Sequence, residues 1–158
     1  ESFHIGEAEV RAFRTLHYTD ESVGYRIEAE SSFGLCTDLG CLTDEVLEAM
    51  SGVELAVIES NYDERMLCDG PYPVYLKRRI LSGHGHLSND EAGKLAVHLA
   101  RNGAQSLILG HLSRENNRPE LALNAVRTAL REAGENLRLA AAPPLGVVRM
   151  EALERCRA

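Results

Sequence analysis

Up to about residue 40 the apolar positions of this chain fall in short alternating runs, and beyond it they follow helical spacing broken by brief apolar stretches. Residues 8 to 16 (AEVRAFRTL) alternate in part between apolar and polar, residues 24 to 30 (GYRIEAE) do so again, and Phe33 to Thr37 is a short apolar run. A period near two sends neighbouring side chains to opposite faces of an extended chain, so these segments predict three strands joined by tight turns. The next apolar set, Leu42, Val46, Leu47 and Met50, lies on one helical face, with Thr43 placed to cap the start and Gly52 just past the end. Residues 54 to 58 (ELAVI) read as an apolar strand.

From Tyr62 to Ile80 the chain predicts short helices interrupted by Gly70, Pro71 and Pro73, because proline is tolerated in a first helical turn and not in an interior one. Asn89 or Asp90 opens a helix running to about Arg101, with Ala92, Leu95, Ala96 and Leu99 on one stripe and Gly103 after it. Residues 106 to 110 (SLILG) predict a buried strand, and Pro119 begins a helix that ends near Gly134. Leu137 to Ala141 and Gly146 to Met150 are candidate closing strands. Strands alternating with helices after residue 40 predict an α/β layer arrangement, preceded by an antiparallel meander. No repeat, low-complexity block or linker divides the chain, so residues 1 to 158 are expected to form a single domain or a single fragment of one.

Composition narrows the class. With 158 residues, 44% hydrophobic and 26% charged, the chain has the make-up of a soluble globular protein. No apolar run approaches the roughly 18 residues that cross a bilayer, and the acidic start lacks the blocks of a signal peptide, which predicts a cytoplasmic protein with no membrane partner. Cys36, Cys41, Cys68 and Cys156 form no C-x-x-C pair and are expected to be reduced thiols. Residues 1 to 70 hold 4 basic and 16 acidic side chains and the remainder 13 and 8, so the net charge of −7 divides into −12 and +5. That balance opposes tight non-specific binding of nucleic acid, which depends on Lys and Arg, yet leaves room for a local basic face. The sequence begins without Met, so a processed protein or a piece of a longer one is expected.

Three polar residues follow apolar strand-like runs: His17 after Phe13 to Leu16, Asp38 after Leu35 to Thr37, and His111 after Leu107 to Gly110. In α/β folds the carboxyl ends of strands face the ligand crevice. Two imidazoles and a carboxylate suit zinc, manganese or iron, and such an ion activates water. The same positions also suit a hydrogen-bonded loop histidine and a turn or capping aspartate, and spacings of 21 and 73 residues do not choose between these readings.

Five ordered blocks add to this: TDLG at 37 to 40, ESNYD at 59 to 63, MLCDGPYPVYLKRRI at 66 to 80, GHLSN at 85 to 89 and GHLSRENNRPELA at 110 to 122. From about Phe3 to Arg149 the chain resembles the YycJ-like (WalJ-like) group of metallo-β-lactamase-fold hydrolases. The resemblance implies a four-layer αββα sandwich, of which this chain is the C-terminal portion, with one or two divalent ions, zinc or manganese, at one edge of the packed sheets. His17, Asp38 and His111 would be the later three ligand positions, Asp38 bridging two metals. The chain departs from the family at Tyr18, where an Asp usually follows the His, with Asp20 as a substitute carboxylate, and it lacks the earlier H-x-H-x-D-H motif. It thus matches roughly the last three fifths of a family member, and the absent ligands are expected on another chain or a removed N-terminal segment. Half a sandwich would leave apolar sheet uncovered, so association with that segment or with another copy is expected.

The loop GHGHLSN (83 to 89) reads as a phosphate-recognition and proton-delivery element, with His86 protonating a leaving group, Ser88 and Asn89 at a helix start, and Lys77, Arg78 and Arg79 shortly upstream. A plain glycine turn before a capped helix and a solvated cationic face are the simpler accounts of the same residues. Glu59 and Asp63 are candidates to orient a ligating His from behind, with capping as the alternative. Asn116 and Asn117 are expected to brace the loop after His111, and His4, His84 and His98 to be structural or solvated. The resulting expectation is a metal-dependent hydrolase, using a metal-bound hydroxide on phosphoester or phosphodiester substrates, DNA exonuclease activity included. The alternative is a catalytically incomplete binding or structural module that works only with a partner.

Overall fold

The computed structural model describes residues 2–19 and 21–150. Strands β1 (Ser2–Ile5), β2 (Ala8–Arg14), β3 (Val23–Glu28) and β4 (Ser32–Cys36) form an antiparallel meander. From β4 onward β5 (Leu55–Glu59), β6 (Ser106–Gly110) and β7 (Arg138–Ala141) add in parallel, giving one seven-stranded sheet in sequence order. Helix α1 (Asp44–Met50) connects β4 to β5, and α2 (Glu64–Asp69), α3 (Val74–Arg79) and α4 (Asn89–Arg101) lie between β5 and β6. Helix α5 (Pro119–Glu132) connects β6 to β7.

The helix boundaries follow local chemistry. Thr43 accepts from the amide of Val46 at the start of α1, Asp63 from Met66 at α2, and Ser88 from Glu91 at α4, each satisfying a donor the helix leaves free. Pro119 occupies the first turn of α5, where its missing N–H costs nothing. Strand β1, not anticipated from the sequence, is exposed at all four positions and is held by pairing with β2, so it has no burial pattern to betray it. The expected strand over Gly146 to Met150 is absent; that segment is irregular. No helix among the described residues is long and apolar enough to cross a membrane.

Strand alternation sorts the sheet into two faces. Phe13, Cys36, Ala56, Ile58, Leu107 and Leu109 share one face and are almost completely buried with Val46 and Met50 of α1, Leu95 and Leu99 of α4, and Val126 of α5. The opposite face carries Ile27, Phe33, Leu35, Leu55, Val57 and Ile108, all partly exposed. The chain is therefore one sheet with one helical layer, in keeping with half of a four-layer sandwich.

Candidate metal centre

Because β2 and β4 are both antiparallel to β3, β2 points the same way as β4, β5 and β6, and the carboxyl ends of all four lie along one edge of the sheet. His17 lies three residues beyond β2, in a loop tied down by a bond from the Gly40 amide to the Leu16 carbonyl (2.6 Å) and one between the Thr15 and Ser22 hydroxyls (2.6 Å). Asp38 follows β4, Glu59 ends β5 and His111 follows β6.

These residues meet. Nε2 of His17 is 3.6 Å and Nε2 of His111 3.9 Å from Oδ1 of Asp38, and the ring of His86 lies 4.9 Å from that of His17 and 5.1 Å from that of His111. Asp38 (φ 58°) and His111 (φ 54°) are the two non-glycine residues with left-handed backbone among the described residues. That conformation is disfavoured for side chains with a Cβ, so the surroundings must enforce it. At His111 they do: Asn61 donates from Nδ2 to the His111 carbonyl (2.7 Å), and the Asn61 carbonyl accepts from the Ser113 amide (2.8 Å).

The far side of each imidazole is anchored. Nδ1 of His17 donates to the Gly85 carbonyl at 2.7 Å, and Nδ1 of both His86 and His111 donates to Oε1 of Glu59 at 2.7 Å. Neither a carbonyl nor a carboxylate has a proton to give, so each Nδ1 carries the hydrogen and each neutral ring keeps its Nε2 lone pair. Glu59 is fully buried, and its Oε2 accepts from the Leu39 amide at 2.8 Å. Burial pushes its carboxyl upward, but the bonds from His111, His86 and Leu39 outweigh this and hold it below the ordinary value. The bond to Glu59 in turn raises the pKa of His111, against partial burial.

Gly85 is glycine because a Cβ there would meet the Ile80 carbonyl and the Tyr18 hydroxyl oxygen, each at 2.6 Å. The glycines at 83 and 85 thus bring the loop against the protein rather than against a ligand: a Cβ on Gly40 would likewise meet the Gly83 carbonyl at 2.3 Å. Ser88 and Asn89, expected at the substrate, are buried. Ser88 caps α4, while Oδ1 of Asn89 accepts from the Ser60 hydroxyl (2.7 Å) and Nδ2 of Asn117 (2.9 Å), leaving neither free. Asp63 caps α2, and Nζ of Lys77 donates to the Cys68 carbonyl at 2.6 Å. Asn117 braces the loop after His111 as expected, and His98 is structural, within hydrogen-bonding distance of the Ser51 hydroxyl. Asp20 and Cys156 lie outside the described residues.

The cleft above this edge encloses about 570 Å³ and is lined by His17, Tyr18, Asp38, Arg79, His86 and His111, among others. From the sequence Arg79 stood out only within the Lys77 to Arg79 run, and Tyr18 only as a departure from the family pattern. Burial raises the Tyr18 phenol above its ordinary value, so it stays protonated, and the guanidinium carbon of Arg79 lies 3.9 Å from the centre of its ring.

A family model described as "Beta-lactamase superfamily domain" matches residues 1–112. The chain belongs to that superfamily. Exodeoxyribonuclease YycJ of Bacillus anthracis is 35% identical over 131 residues, covering 82% of this chain and 50% of that protein. Exodeoxyribonuclease WalJ of Streptococcus pneumoniae is 35% identical over 119 residues, covering 75% of this chain and 44% of that protein. The chain thus spans about half the length of the curated relatives it matches. Among solved structures, the metallo-beta-lactamase fold protein YhfI of Bacillus subtilis aligns over 90% of this chain and 49% of its own, with a TM-score of 0.63 and 17% identity. The superfamily fold implies divalent-metal binding, and the donor set here fits it: His17, Asp38 and His86 offer ligand atoms within 4.8 Å of one another, Nε2 of His111 lies 3.9 Å from the same Asp38 oxygen, and Nδ1 of His17 and of His111 is fixed in the manner that orients ligating histidines.

Proposed function

We propose that this chain carries the later half of the catalytic centre of a metal-dependent hydrolase acting on phosphoesters, with phosphodiesters of DNA as the substrate class that the names of its relatives favour. The observation that carries this reading is the convergence of His17 and His111 on Asp38, with both rings locked from behind. His17 and His111 would each ligate through Nε2, and Asp38 would lie between them as the shared carboxylate. Zinc or manganese fits these donors; when bound it would supply Lewis acidity toward a phosphoryl oxygen and make a water molecule acidic enough to ionise near neutral pH. His86, half-buried in the cleft wall with Nδ1 held by Glu59, would act as the acid from its imidazolium form, giving the Nε2 proton to the departing alkoxide and returning to the neutral Nδ1–H ring. Glu59 would serve both imidazoles at once, holding His111 with its Nε2 lone pair free for an ion and pairing with His86 when that ring carries its second proton.

His17, His111 and Asp38 would be fewer ligands than a hydrolytic ion pair needs, and among the described residues one sheet face has no helical layer over it. Both facts favour completion of the site by a segment that brings a second apolar sheet and further ligands. The three described cysteines are free thiols, which suits the reducing cytoplasm.

A hydrolysis assay on a phosphodiester reporter, paired with metal analysis, tests the proposal: metal-dependent turnover by the full-length protein is expected, and its absence from a folded, metal-loaded protein would favour a binding module instead. Replacing His86 with Ala should lower kcat by about 100-fold or more while leaving metal content unchanged. Unchanged turnover would remove His86 from the reaction.

A further inference from the structure

The cleft carries a cation that nothing in the metal centre uses. Leu76, Arg79 and Ile80 stand at i, i+3 and i+4 on α3 and its continuation, so one helical face is turned to the cleft while Lys77 is tethered to Cys68 and Arg78, exposed like Arg79, does not line it. Arg79 is the only Lys or Arg among the described residues lining that space. Its guanidinium carbon lies 3.9 Å from the centre of the Tyr18 ring, with its N–H groups close to the phenol oxygen, and no carboxylate or carbonyl among the described residues accepts from it. Tyr18 is itself fixed: it adjoins His17, its ring centre 5.0 Å from that imidazole, and its buried hydroxyl oxygen packs against Gly85. An arginine stacked on a rigid aromatic face loses little further freedom on binding, and its N–H edge stays available to an anion in the plane of the guanidinium.

We propose that Arg79, positioned by Tyr18, grips a non-bridging oxygen of a substrate phosphate diester, making the pair the anion-recognising wall of the cleft. This rests on the phosphoester reading above and names the residue that selects the charge. A diester keeps one negative charge at every physiological pH, and arginine is the side chain whose complementary charge does not titrate. An aromatic ring holds the cation without neutralising it.

Binding of a fluorescein-labelled single-stranded oligothymidylate to the full-length protein, read by fluorescence anisotropy over a range of salt concentrations, tests this. Arg79→Gln should raise Kd about tenfold and reduce the slope of log K against log salt by about 0.7. Arg79→Lys should recover part of the affinity and the whole slope, and Tyr18→Leu should lose affinity with the arginine still present. Against a strand whose linkages are neutral methylphosphonates, wild type and Arg79→Gln should bind alike, an equality that loss of folding would not produce. In turnover the same substitution should raise KM with kcat little changed. If Arg79→Gln retains the wild-type Kd and salt slope for the charged strand, the inference is overturned while the phosphoester reading stands. If the wild-type protein neither binds nor cleaves the strand, both fall.

Discussion

Both faces of the sheet are lined with apolar side chains drawn from the same strands, yet they have opposite fates. On β5, Ala56 and Ile58 are completely buried while Leu55 and Val57 between them remain partly exposed; on β6, Leu107 and Leu109 are buried and Ile108 is not. A strand of a parallel sheet reads as continuously apolar when both of its faces are covered. ELAVI and SLILG have that composition, but α1, α4 and α5 cover one face only. The difference teaches that these strands are built for two layers of neighbours and have one here. The candidate metal centre lies at the strand ends, where a second layer would contribute its own ligands.

Truncating a side chain on the covered face should have the largest effect: Leu107→Ala leaves a cavity and should cost about 2–5 kcal/mol by urea denaturation, against about 1 kcal/mol or less for Val57→Ala on the bare face. Equal costs would mean that the bare face is packed in solution. At the edge between the faces, Glu59→Gln removes the negative charge and one of the two oxygens that accept from His86, His111 and Leu39, and should weaken zinc or manganese binding about 10-fold to 100-fold in a calorimetric titration. The same pair sets a pH dependence. Because Glu59 raises the His111 pKa, its ion pair with protonated His111 stabilises the metal-free protein below the ordinary imidazole value of about 6.5. That stabilisation fades as pH rises through the elevated value. An ion requires His111 neutral, so metal affinity should fall as pH drops through this range, with proton release on binding as the check. The smallest effect on stability is expected for Ile27→Lys on the bare face, about 0.5 kcal/mol or less, and its consequence should appear in sedimentation instead, as loss of association with whatever covers that face.

Much of the edge was legible in the chain. A histidine or aspartate that follows an apolar strand has few places to go but the rim of the sheet, and His17, Asp38 and His111 lie there because each ends a strand pointing the same way. Glu59 was legible for the same reason. Ser88, Asn89, Asp63 and Lys77 were not, because a serine or aspartate capping a helix internally has the same local pattern as one presenting that helix to an anion. Whether its surroundings are solvent or the Asn117 and Ser60 side chains is decided by segments about 30 residues away. Tyr18 and Arg79 lie 61 residues apart and carry no periodic signal toward each other.

By itself the amino-acid order determined which segments extend, which coil, where the caps stand and which polar groups end a strand, since these depend on backbone hydrogen bonding and side-chain period over a few residues. Tertiary packing alone decided which cation of the Lys77 to Arg79 run faces the cleft, which helix start is buried, and which of two similar apolar faces is left open. Those outcomes depend on contacts between distant segments, whose free energy appears only once the layers are stacked.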